Sequence, residues 1–363
     1  MGEADEVTRS SARRRQPQRP SPVLHVGPSP DGIGGIAAVI RLFVVAGGPR
    51  RPEGVPSWAP EDRFWGVLRV PQVAAAICWH ALRHRTIVHV HLSERGSFLR
   101  EGAYALLARA LRARTVVTVH GADFHDDLRR HSRLVVALLQ RMDCVVVLSV
   151  EHADLLTAAG VKATRVSNAV SPGRRAPYLG RNVDFVFGGE CSRRKGFDVL
   201  QEAWSHVVRE SPHAKLVVLG PAGDVPVTEL PGLAHRGPVP PHDVREALAG
   251  ARWAVLPSRR EVLPMFLIEA MSEGTPWIST AVAGVPDLAE EGGGVLIPPD
   301  DAPALAQAML AALRDGAGRS LALRSREAWE AHHAPARVLA QYEAVYRRVE
   351  SLRRGDRRGT GGG

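Results

Sequence analysis

Short apolar runs alternate with longer segments of helical periodicity along most of the chain. The apolar runs are rich in β-branched residues and predict buried strands, whereas the segments between them place apolar residues at the spacing of an α-helix. The predicted strands are Val23–Val26, Thr86–His91, Thr115–His120, Cys144–Leu148, Val183–Phe187, Lys215–Leu219 and Trp253–Leu256. Strands that alternate with helices favour an α/β fold in which helices cover both faces of a parallel sheet. The 363 residues leave room for roughly two such domains.

Segments without apolar periodicity set the predicted domain boundaries. Residues 1–20 mix charges with Pro and Ser, which is typical of a disordered tail. Residues 171–182 hold prolines, glycines and arginines and predict an interdomain linker. Arg50–Arg63, rich in Pro and Arg, is interpreted as a connecting loop. The remaining predicted units are an N-terminal domain over residues 21–170, a C-terminal domain over residues 183–335, a last helix over residues 336–354 and a flexible tail over residues 355–363.

The net charge of +9 is compatible in principle with nucleic acid or an anionic membrane as a partner. Only three of the 47 basic residues are lysines, however, and such an arginine bias is typical of a chain encoded by GC-rich DNA. A nucleic-acid binder would also need a clustered basic face with interleaved aromatic residues, and aromatic residues make up only 5% of this chain. Nucleic acid is therefore not an expected partner.

The expected compartment is the cytoplasm. The three cysteines are scattered without paired spacing, which favours a reducing compartment and argues against a zinc site. No apolar run has the ~18–20 residues that a membrane-spanning helix needs, and the first residues lack the apolar segment of a secretion signal.

One segment raises the question of membrane contact. Phe98–Leu111 is apolar at helical spacing and is flanked by arginines. A basic amphipathic helix can lie on an anionic membrane, so peripheral contact with the inner face of the membrane is one hypothesis. A helix that packs within its domain and exposes its arginines is the favoured alternative.

An acidic residue inside an otherwise apolar helix marks the candidate site. The helix is predicted to begin at Pro264, and its residues Phe266–Met271 are apolar nearly all the way round except for Glu269. A carboxylate there is costly to bury unless a partner or a ligand bonds it. Glu261 precedes the helix, with seven residues between the two acids. Two carboxylates beside the free N–H groups of a helix start would suit a ligand with several hydroxyls and a phosphate.

This stretch resembles the signature of a known enzyme family. Two Glu residues with seven between them, preceded by Pro-Ser and followed by E-A-M-x-x-G-T-P, are similar to the motif of retaining nucleotide-sugar glycosyltransferases of the GT-B type (family four-like, group 1). The resemblance implies that Glu269 holds the donor ribose and that Glu261 lies beside the donor sugar as a catalytic residue. It also implies that the backbone over Leu263–Phe266 contacts sugar and phosphate, with Pro264, Met265 and Phe266 as donor-binding residues. Val262 stands where the family usually has Gly. The alternative from the residues alone is a salt-bridged core Glu269 and a solvated Glu261.

Two motifs of the first half fit the same resemblance. Gly34 and Gly35 lie in a glycine-rich turn between a strand and a helix, where backbone N–H groups can approach an anion. In the family, a Gly-Gly pair at this place lies beside the donor phosphates and the acceptor. His120 ends a predicted central strand, and the resemblance implies a catalytic position beside the donor sugar. A tight turn and a core histidine are the alternatives. His89 and His91 lie within a strand and are interpreted as structural.

The cations for the donor diphosphate are expected at the start of the second domain. Lys195-Gly196 matches the family's Lys-Gly, but Glu190 occupies the position of the family's Arg. We therefore expect Arg193 or Arg194 to supply the second charge, with Arg194 the chosen candidate. A solvated turn lysine is the alternative for Lys195.

The resemblance implies two doubly wound Rossmann-like domains that face each other across a cleft, with a C-terminal helix that crosses back to the first domain. It implies a hexosyltransferase-type enzyme that moves a sugar from a nucleotide diphosphate sugar to a hydroxyl acceptor on a glycan, a lipid-linked molecule or a natural product, with the anomeric configuration retained. The sequence contains no Asp-x-Asp, so neither a metal nor another cofactor is expected. A nucleotide-sugar epimerase, a phosphorylase and a non-catalytic nucleotide-sugar binder remain as alternatives.

Overall fold

The computed structural model describes residues 20–32, 34–58, 66–83, 85–93, 96–122, 124–130, 132–174, 178, 180–314 and 317–355. The two predicted tails, residues 1–20 and 355–363, lie outside this range except for Pro20 and Gly355. Part of the predicted linker, at residues 175–177 and 179, also lies outside it.

Among the described residues, the strands form two parallel sheets of six strands each. The first has the order β2-β1-β3-β4-β5-β6 and the second the order β12-β11-β10-β7-β8-β9. The strands of the first sheet are β1 (Val23–Pro28), β2 (Glu53–Trp58), β3 (Ile87–Leu92), β4 (Arg114–Val119), β5 (Cys144–Val147) and β6 (Ala163–Arg165). Those of the second are β7 (Val183–Gly188), β8 (Leu216–Leu219), β9 (Leu233–His235), β10 (Ala251–Leu256), β11 (Trp277–Thr280) and β12 (Gly294–Ile297).

Helices connect the strands in both sheets. The helices of the first half are α1 (Gly35–Ala46), α2 (Gly66–Arg83), α3 (Gly96–Ala110), α4 (Phe124–Arg130), α5 (Ser132–Leu139) and α6 (Val150–Ala158). Those of the second half are α7 (Phe197–Glu210), α8 (Pro241–Gly250), α9 (Met265–Ser272), α10 (Val285–Glu291), α11 (Ala302–Arg314), α12 (Ala317–Ala328), a π-helical turn (Trp329–His333) and α13 (Pro335–Gly355). This alternation confirms the predicted α/β class with two doubly wound parts.

One prediction about the first half is wrong. Within Arg50–Arg63, which was expected to be a loop, Glu53–Trp58 forms the strand β2 and pairs in parallel with β1. This strand lies at the edge of the sheet, and of its six residues only Ser57 is buried. An edge strand of this kind shows no continuous apolar run, and its Pro56 is tolerated because an edge strand bonds a neighbour on one side only.

The last helix, α13, packs against the first sheet as the resemblance implies. Its Tyr342 and Tyr346 are buried in one cluster with Val23, Ile87 and Val116 from three strands of that sheet. The chain therefore crosses between the two sheets twice, once before β7 and once before α13.

A buried ion pair fixes α13 on the first sheet. The guanidinium of Arg50 lies 2.5 Å from a carboxylate oxygen of Glu343 and 3.0 Å from one of Glu350. Although burial opposes ionisation, hydrogen bonds from Arg50 and Ser21 lower the pKa of Glu350 to about 2. Removing one partner of such a pair would leave a charge without a partner, so the contact is costly to break. Through it, Arg50 fastens α13 to the first sheet.

Further contacts link the two halves near the second crossing. His333 of the π-helical turn bonds the Ser167 hydroxyl at 2.7 Å and the Glu291 carboxylate at 2.6 Å. The backbone N–H of Val150 donates to the Asp287 carboxylate at 2.8 Å. In the part of the chain that the structure describes, no helix is both long and apolar enough to cross a membrane.

Candidate active site

A cavity of about 280 Å³ lies between the two sheets. Residues from both halves of the chain line it: Gly35, Ile36, His120, Ala122, Leu148 and Asn168 from the first, and Arg194, Lys195 and Glu261–Phe266 from the second. Many of these residues follow the carboxyl ends of β1, β4, β5, β7 and β10. Ligands of open parallel sheets bind in this position because loops leave the sheet there and helix N-termini face it.

Two helix N-termini meet at this cavity without a side chain to cap them. Gly34 and Pro264 precede α1 and α9, and neither residue offers a capping side-chain hydrogen bond. The start of α7 differs, because the Asp198 carboxylate accepts from the N–H groups of its first turn. The first N–H groups of a helix have no partner within the helix and carry a partial positive charge. The cavity is therefore suited to bind a multiply charged anion.

The glycine-rich turn of the first half approaches the second half closely. A Cβ atom on Gly35 would lie 3.1 Å from the Cγ of Met265, which is tighter than an ordinary contact. Gly34 has a φ of +129°, a backbone conformation that residues with a side chain rarely adopt. Gly35 lines the cavity, as predicted for a site residue, whereas Gly34 precedes the lining residues and does not itself contribute to the wall.

The two charged residues predicted from the family motifs form an ion pair. The ammonium group of Lys195 lies 2.5 Å from a carboxylate oxygen of Glu261, and the Ser258 hydroxyl donates to the same oxygen at 2.9 Å. Both side chains are largely shielded, with exposed fractions of 17% for Lys195 and 8% for Glu261. The pair holds a cation and an oriented carboxylate together at the wall of the cavity. The alternative interpretation, in which Glu261 is a solvated loop residue, is therefore wrong.

The structure separates the two arginine candidates. Arg194 lines the cavity beside Lys195, whereas Arg193 and Glu190 are exposed residues outside the lining. The nearby Arg259 is held by Asp198 at 2.7 Å and by Asp300 at 2.5 Å, so its charge is already compensated.

Glu269 occupies the middle of α9 and does not line the cavity with the other predicted residues. Among the described residues, none forms a hydrogen bond or an ion pair with its carboxylate. Arg245, which could serve as a partner, instead lies 2.8 Å from Glu273. Burial raises the pKa of Glu269 to about 7, and the Arg245 charge only partly offsets this effect. The alternative that Glu269 is salt-bridged within the core is therefore wrong. Its carboxylate remains able to accept hydrogen bonds from a ligand.

His120 follows β4 and lines the cavity, and its predicted catalytic position beside a donor sugar stays a prediction. Its Nε2 lies 3.0 Å from the Nδ1 of His91, and its backbone N–H donates to the Leu92 carbonyl at 2.8 Å. Burial lowers the pKa of His120 to about 3, so the imidazole is neutral at ordinary pH.

Several lining residues were not predicted to belong to the site, and among them Asn168 has a polar side chain. The amide of Asn168 donates to the carbonyl of Leu263 at 3.3 Å and so connects the end of the first half to the loop before α9. In the sequence it belongs to Asn168-Ala169-Val170, the last residues of the predicted N-terminal domain, to which no site role was assigned.

Three buried histidines behind the cavity need separate consideration. His25, His89 and His91 offer ring nitrogens within 4.8 Å of one another, a spacing that could suit a metal ion. Both nitrogens of His89 bond protein hydroxyls, those of Tyr346 and Thr118, and both nitrogens of His91 bond other histidines. A metal would have to displace these bonds. We therefore interpret the group as a hydrogen-bonded cluster.

One protein-family model matches part of the second half of the chain. Residues 182–315 match the family model described as "Glycosyl transferases group 1". The match covers β7 to α11, including the Lys195–Glu261 pair and Glu269.

Two curated relatives agree with this match over part of their length. The chain is 40% identical over 124 residues to the putative teichuronic acid biosynthesis glycosyltransferase TuaC of Bacillus subtilis, which covers 34% of this chain and 31% of TuaC. It is 30% identical over 181 residues to the D-inositol 3-phosphate glycosyltransferase of Segniliparus rotundus, which covers 45% of this chain and 40% of that enzyme. The chain thus matches less than half the length of each.

Solved structures share the fold over nearly the whole chain. Sucrose-phosphate synthase from Thermosynechococcus elongatus has a TM-score of 0.71 at 20% identity, covering 92% of this chain and all of that one. HepE of Anabaena, solved in complex with UDP-glucose, has a TM-score of 0.69 at 15% identity, covering 89% of this chain and 98% of HepE. The two sheets and their crossing helix are therefore those of the GT-B fold, as the sequence predicts.

The unpaired Glu269 should make the protein less stable at high pH. Its carboxyl titrates near pH 7 when folded and near pH 4.5 when unfolded, so the folded state holds a proton that the unfolded state releases between these values. Stability therefore falls as pH rises through this window, and the cost is complete above about pH 7. We expect Glu269→Gln to raise the free energy of unfolding by roughly 1–3 kcal/mol at pH 8 and by little at pH 5.

Denaturant unfolding at both pH values measures this difference. Glu290→Gln, which neutralises an exposed acid in α10, serves as the control and should change stability little at either pH. A Glu269→Gln protein that is less stable than the parent at pH 8 would contradict the prediction.

Proposed function

We propose that this chain, whose residues 182–315 form a group 1 glycosyltransferase domain, transfers a sugar from a nucleotide diphosphate sugar to a hydroxyl acceptor. The observation that carries the proposal is the Lys195–Glu261 ion pair at a cavity where the uncapped N-termini of α1 and α9 meet. These groups provide positive charge for a diphosphate and a fixed carboxylate for a sugar hydroxyl in one place.

In the proposed complex, the diphosphate lies against the N-terminus of α9. Lys195 supplies one cation, and Arg194 supplies the second in place of the arginine whose position is occupied by Glu190. The Pro264–Phe266 backbone contacts the sugar and phosphate. The binding of UDP-glucose by HepE, which shares the fold, supports a nucleoside diphosphate sugar as the ligand class.

Glu269 would hold the ribose diol of the donor. Its carboxylate has no hydrogen-bond partner among the described residues, and burial already raises its pKa. Hydroxyl donors from a ribose would satisfy this group, since a buried carboxylate is costly when it is unbonded.

The proposed reaction retains the anomeric configuration. The transition state has oxocarbenium character, and negative charge develops on the departing diphosphate, where Lys195 and the helix N–H groups stabilise it. The acceptor hydroxyl attacks from the face that the diphosphate leaves, and a phosphate oxygen takes its proton. Glu261 orients the sugar because Lys195 and Ser258 already engage its carboxylate.

We further propose that this transfer needs no metal ion. Among the described residues that line the cavity, Glu261 is the only carboxylate, and it is paired with Lys195. The positive charge that a metal would bring to the diphosphate comes instead from side chains and helix termini.

We also propose that the first domain contacts anionic membrane surfaces. α2 and α3 pack side by side and expose Trp79, Leu82, Leu99 and Leu106, with exposed fractions between 41% and 74%. α2 contains no acidic residue, and the only acid of α3, Glu101, is fully buried. Exposed apolar side chains among arginines, on two helices that expose no carboxylate of their own, have the composition of a surface that binds anionic lipid. The exposed carboxylate of Glu53 lies at its border, 3.4 Å from His80 of α2.

Donor binding can be tested with a panel of nucleotide sugars. We expect one nucleotide class to raise the melting temperature of the parent protein, because a ligand that binds only the folded state stabilises it. Lys195→Ala should weaken binding at least tenfold because it removes a charge-assisted bond to phosphate. Glu269→Gln should weaken binding at pH 8, since an amide bonds a diol less well than a carboxylate does.

Lys162→Ala, which removes a lysine distant from the cavity-lining residues, is the matched control and should bind as the parent does. Equal stabilisation of the parent, Lys195→Ala and Glu269→Gln would remove both residues from the site. Binding without transfer to any acceptor would instead identify a non-catalytic binder.

The mechanism predicts the product and its metal dependence. Transfer should continue in excess EDTA, and the anomeric configuration of the new bond, read from the NMR coupling of its anomeric proton, should match that of the donor. Turnover of the donor without an acceptor would indicate an epimerase, and a requirement for inorganic phosphate would indicate a phosphorylase. An inverted anomeric centre would contradict same-face attack, and loss of transfer in EDTA would contradict metal independence.

Vesicle sedimentation tests the membrane surface. We expect the protein to bind vesicles rich in phosphatidylglycerol and not vesicles of phosphatidylcholine alone. The double variant Leu82→Glu/Leu99→Glu should lose this binding, because it places two carboxylates among the exposed apolar residues. Leu323→Glu/Leu352→Glu, an equal charge change at exposed leucines of α12 and α13, should retain it. Unchanged binding by the first double variant would rule out this surface.

A further inference from the structure

A chain of imidazole rings leads from the cavity into the core of the first domain. His120 Nε2 lies 3.0 Å from His91 Nδ1, and His91 Nε2 lies 3.0 Å from His25 Nδ1. The register of the sheet brings these rings together, because His25 on β1 is paired with His89 on β3 and His91 follows two residues later on the same face. Each ring of the chain thus uses one nitrogen to bond the next.

The three rings are neutral. His25 and His91 are almost fully buried, and burial lowers the pKa of each ring below its usual value. A neutral imidazole carries one N–H donor and one acceptor nitrogen. A chain of three such rings therefore has one of two directions, with all protons on Nδ1 or all on Nε2.

The buried end of the chain selects the direction. Among the described residues, the Nε2 of His25 has no hydrogen-bond partner, and it has no access to solvent. If the protons lay on Nε2, this atom would be a buried N–H donor without an acceptor, which carries the full cost of removing the donor from water. With the protons on Nδ1, His25 donates to His91, His91 donates to His120, and only an acceptor lone pair remains unsatisfied.

The outer end of the chain faces the cavity. With Nε2 of His120 accepting from His91, Nδ1 is the remaining hydrogen-bonding atom of the ring. In the described part of the chain, Nδ1 has no protein partner and is not one of the buried unsatisfied atoms. A ligand in the cavity can therefore meet it.

We propose that His91 and His25 are positioning residues that hold His120 in the Nδ1–H tautomer and so present a hydrogen-bond donor to the ligand in the cavity. In this tautomer, His120 donates to a hydroxyl or phosphate oxygen and does not act as the base that deprotonates the acceptor. The identity of the ligand that His120 contacts rests on the proposed glycosyl transfer. The tautomer of His120 depends only on its hydrogen bonds within the protein.

The tautomer can be read from imidazole ¹⁵N chemical shifts of the ligand-free protein at pH 7.5, which requires neither donor nor acceptor. We expect His120, His91 and His25 each to show a protonated Nδ1 and an unprotonated Nε2. Signals are assigned by their loss in His120→Gln, His91→Asn and His25→Asn. An Nε2–H tautomer at His120 in the parent protein would overturn the proposal without any variant having to fold.

Two substitutions at position 91 separate positioning from packing. His91→Leu removes the donor, so His120 should become a mixture of tautomers. The amide nitrogen of His91→Asn occupies the place of Nδ1 and can still donate, so this variant should keep the Nδ1–H form. His89→Gln, at an equally buried ring outside the chain, is the control and should leave the tautomer of His120 unchanged. An unchanged tautomer in His91→Leu would also overturn the proposal.

If the protein transfers sugar as proposed, kcat should fall about tenfold in His91→Leu and stay within about twofold of the parent in His91→Asn. A protein that shows the predicted tautomers but no transfer would refute the proposed function and leave the histidine chain intact. A protein that transfers sugar but holds His120 in the Nε2–H tautomer would support the proposed function and refute the proposed histidine chain.

Discussion

The contact between Lys195 and Glu261 organises the candidate site. Lys195 ends the turn before α7, and Glu261 lies in the loop between β10 and α9, so the pair connects the starts of two helices. Gly196, which follows Lys195, has a left-handed backbone, and a Cβ there would collide with the carbonyl of Pro257. The turn can therefore approach the second loop only because residue 196 is glycine. The ion pair, the close backbone contact and the uncapped N-terminus of α9 form one arrangement.

The site also requires two sheets whose carboxyl edges face each other. Each sheet alone offers half of the cavity wall, and contacts such as Asn168 with Leu263 and Gly35 with Met265 join the halves. The second sheet supplies the charged side chains of the cavity, Arg194, Lys195 and Glu261, and the first supplies His120 and the glycine turn. The family match over residues 182–315 covers the charged side of the cavity and not the first sheet.

The sequence predicted the central elements of the fold and missed edge elements. Continuous apolar runs such as Thr115–His120 marked strands to within one residue, because both faces of a central parallel strand are buried. Glu53–Trp58 carries little apolar signal, since only one of its residues is buried at the edge of the sheet. The site motifs around Lys195 and Glu261 were visible because they are local in sequence. The position of Arg194 rather than Arg193 at the cavity follows from the geometry of the turn. The histidine chain joins His25 to His91, 66 positions apart, and His91 to His120, 29 positions apart, and only the sheet register brings these residues together.

The double crossing of the chain constrains how the cleft can change its width. The segment before β7 and the π-helical turn before α13 both run between the two halves, and His333 bonds residues of each half beside the second crossing. Two connections restrict how far the halves can slide past each other. Because the Arg50 contacts fasten α13 to the N-terminal sheet, the two halves would stay joined through α13 even if a protease cut the first connection.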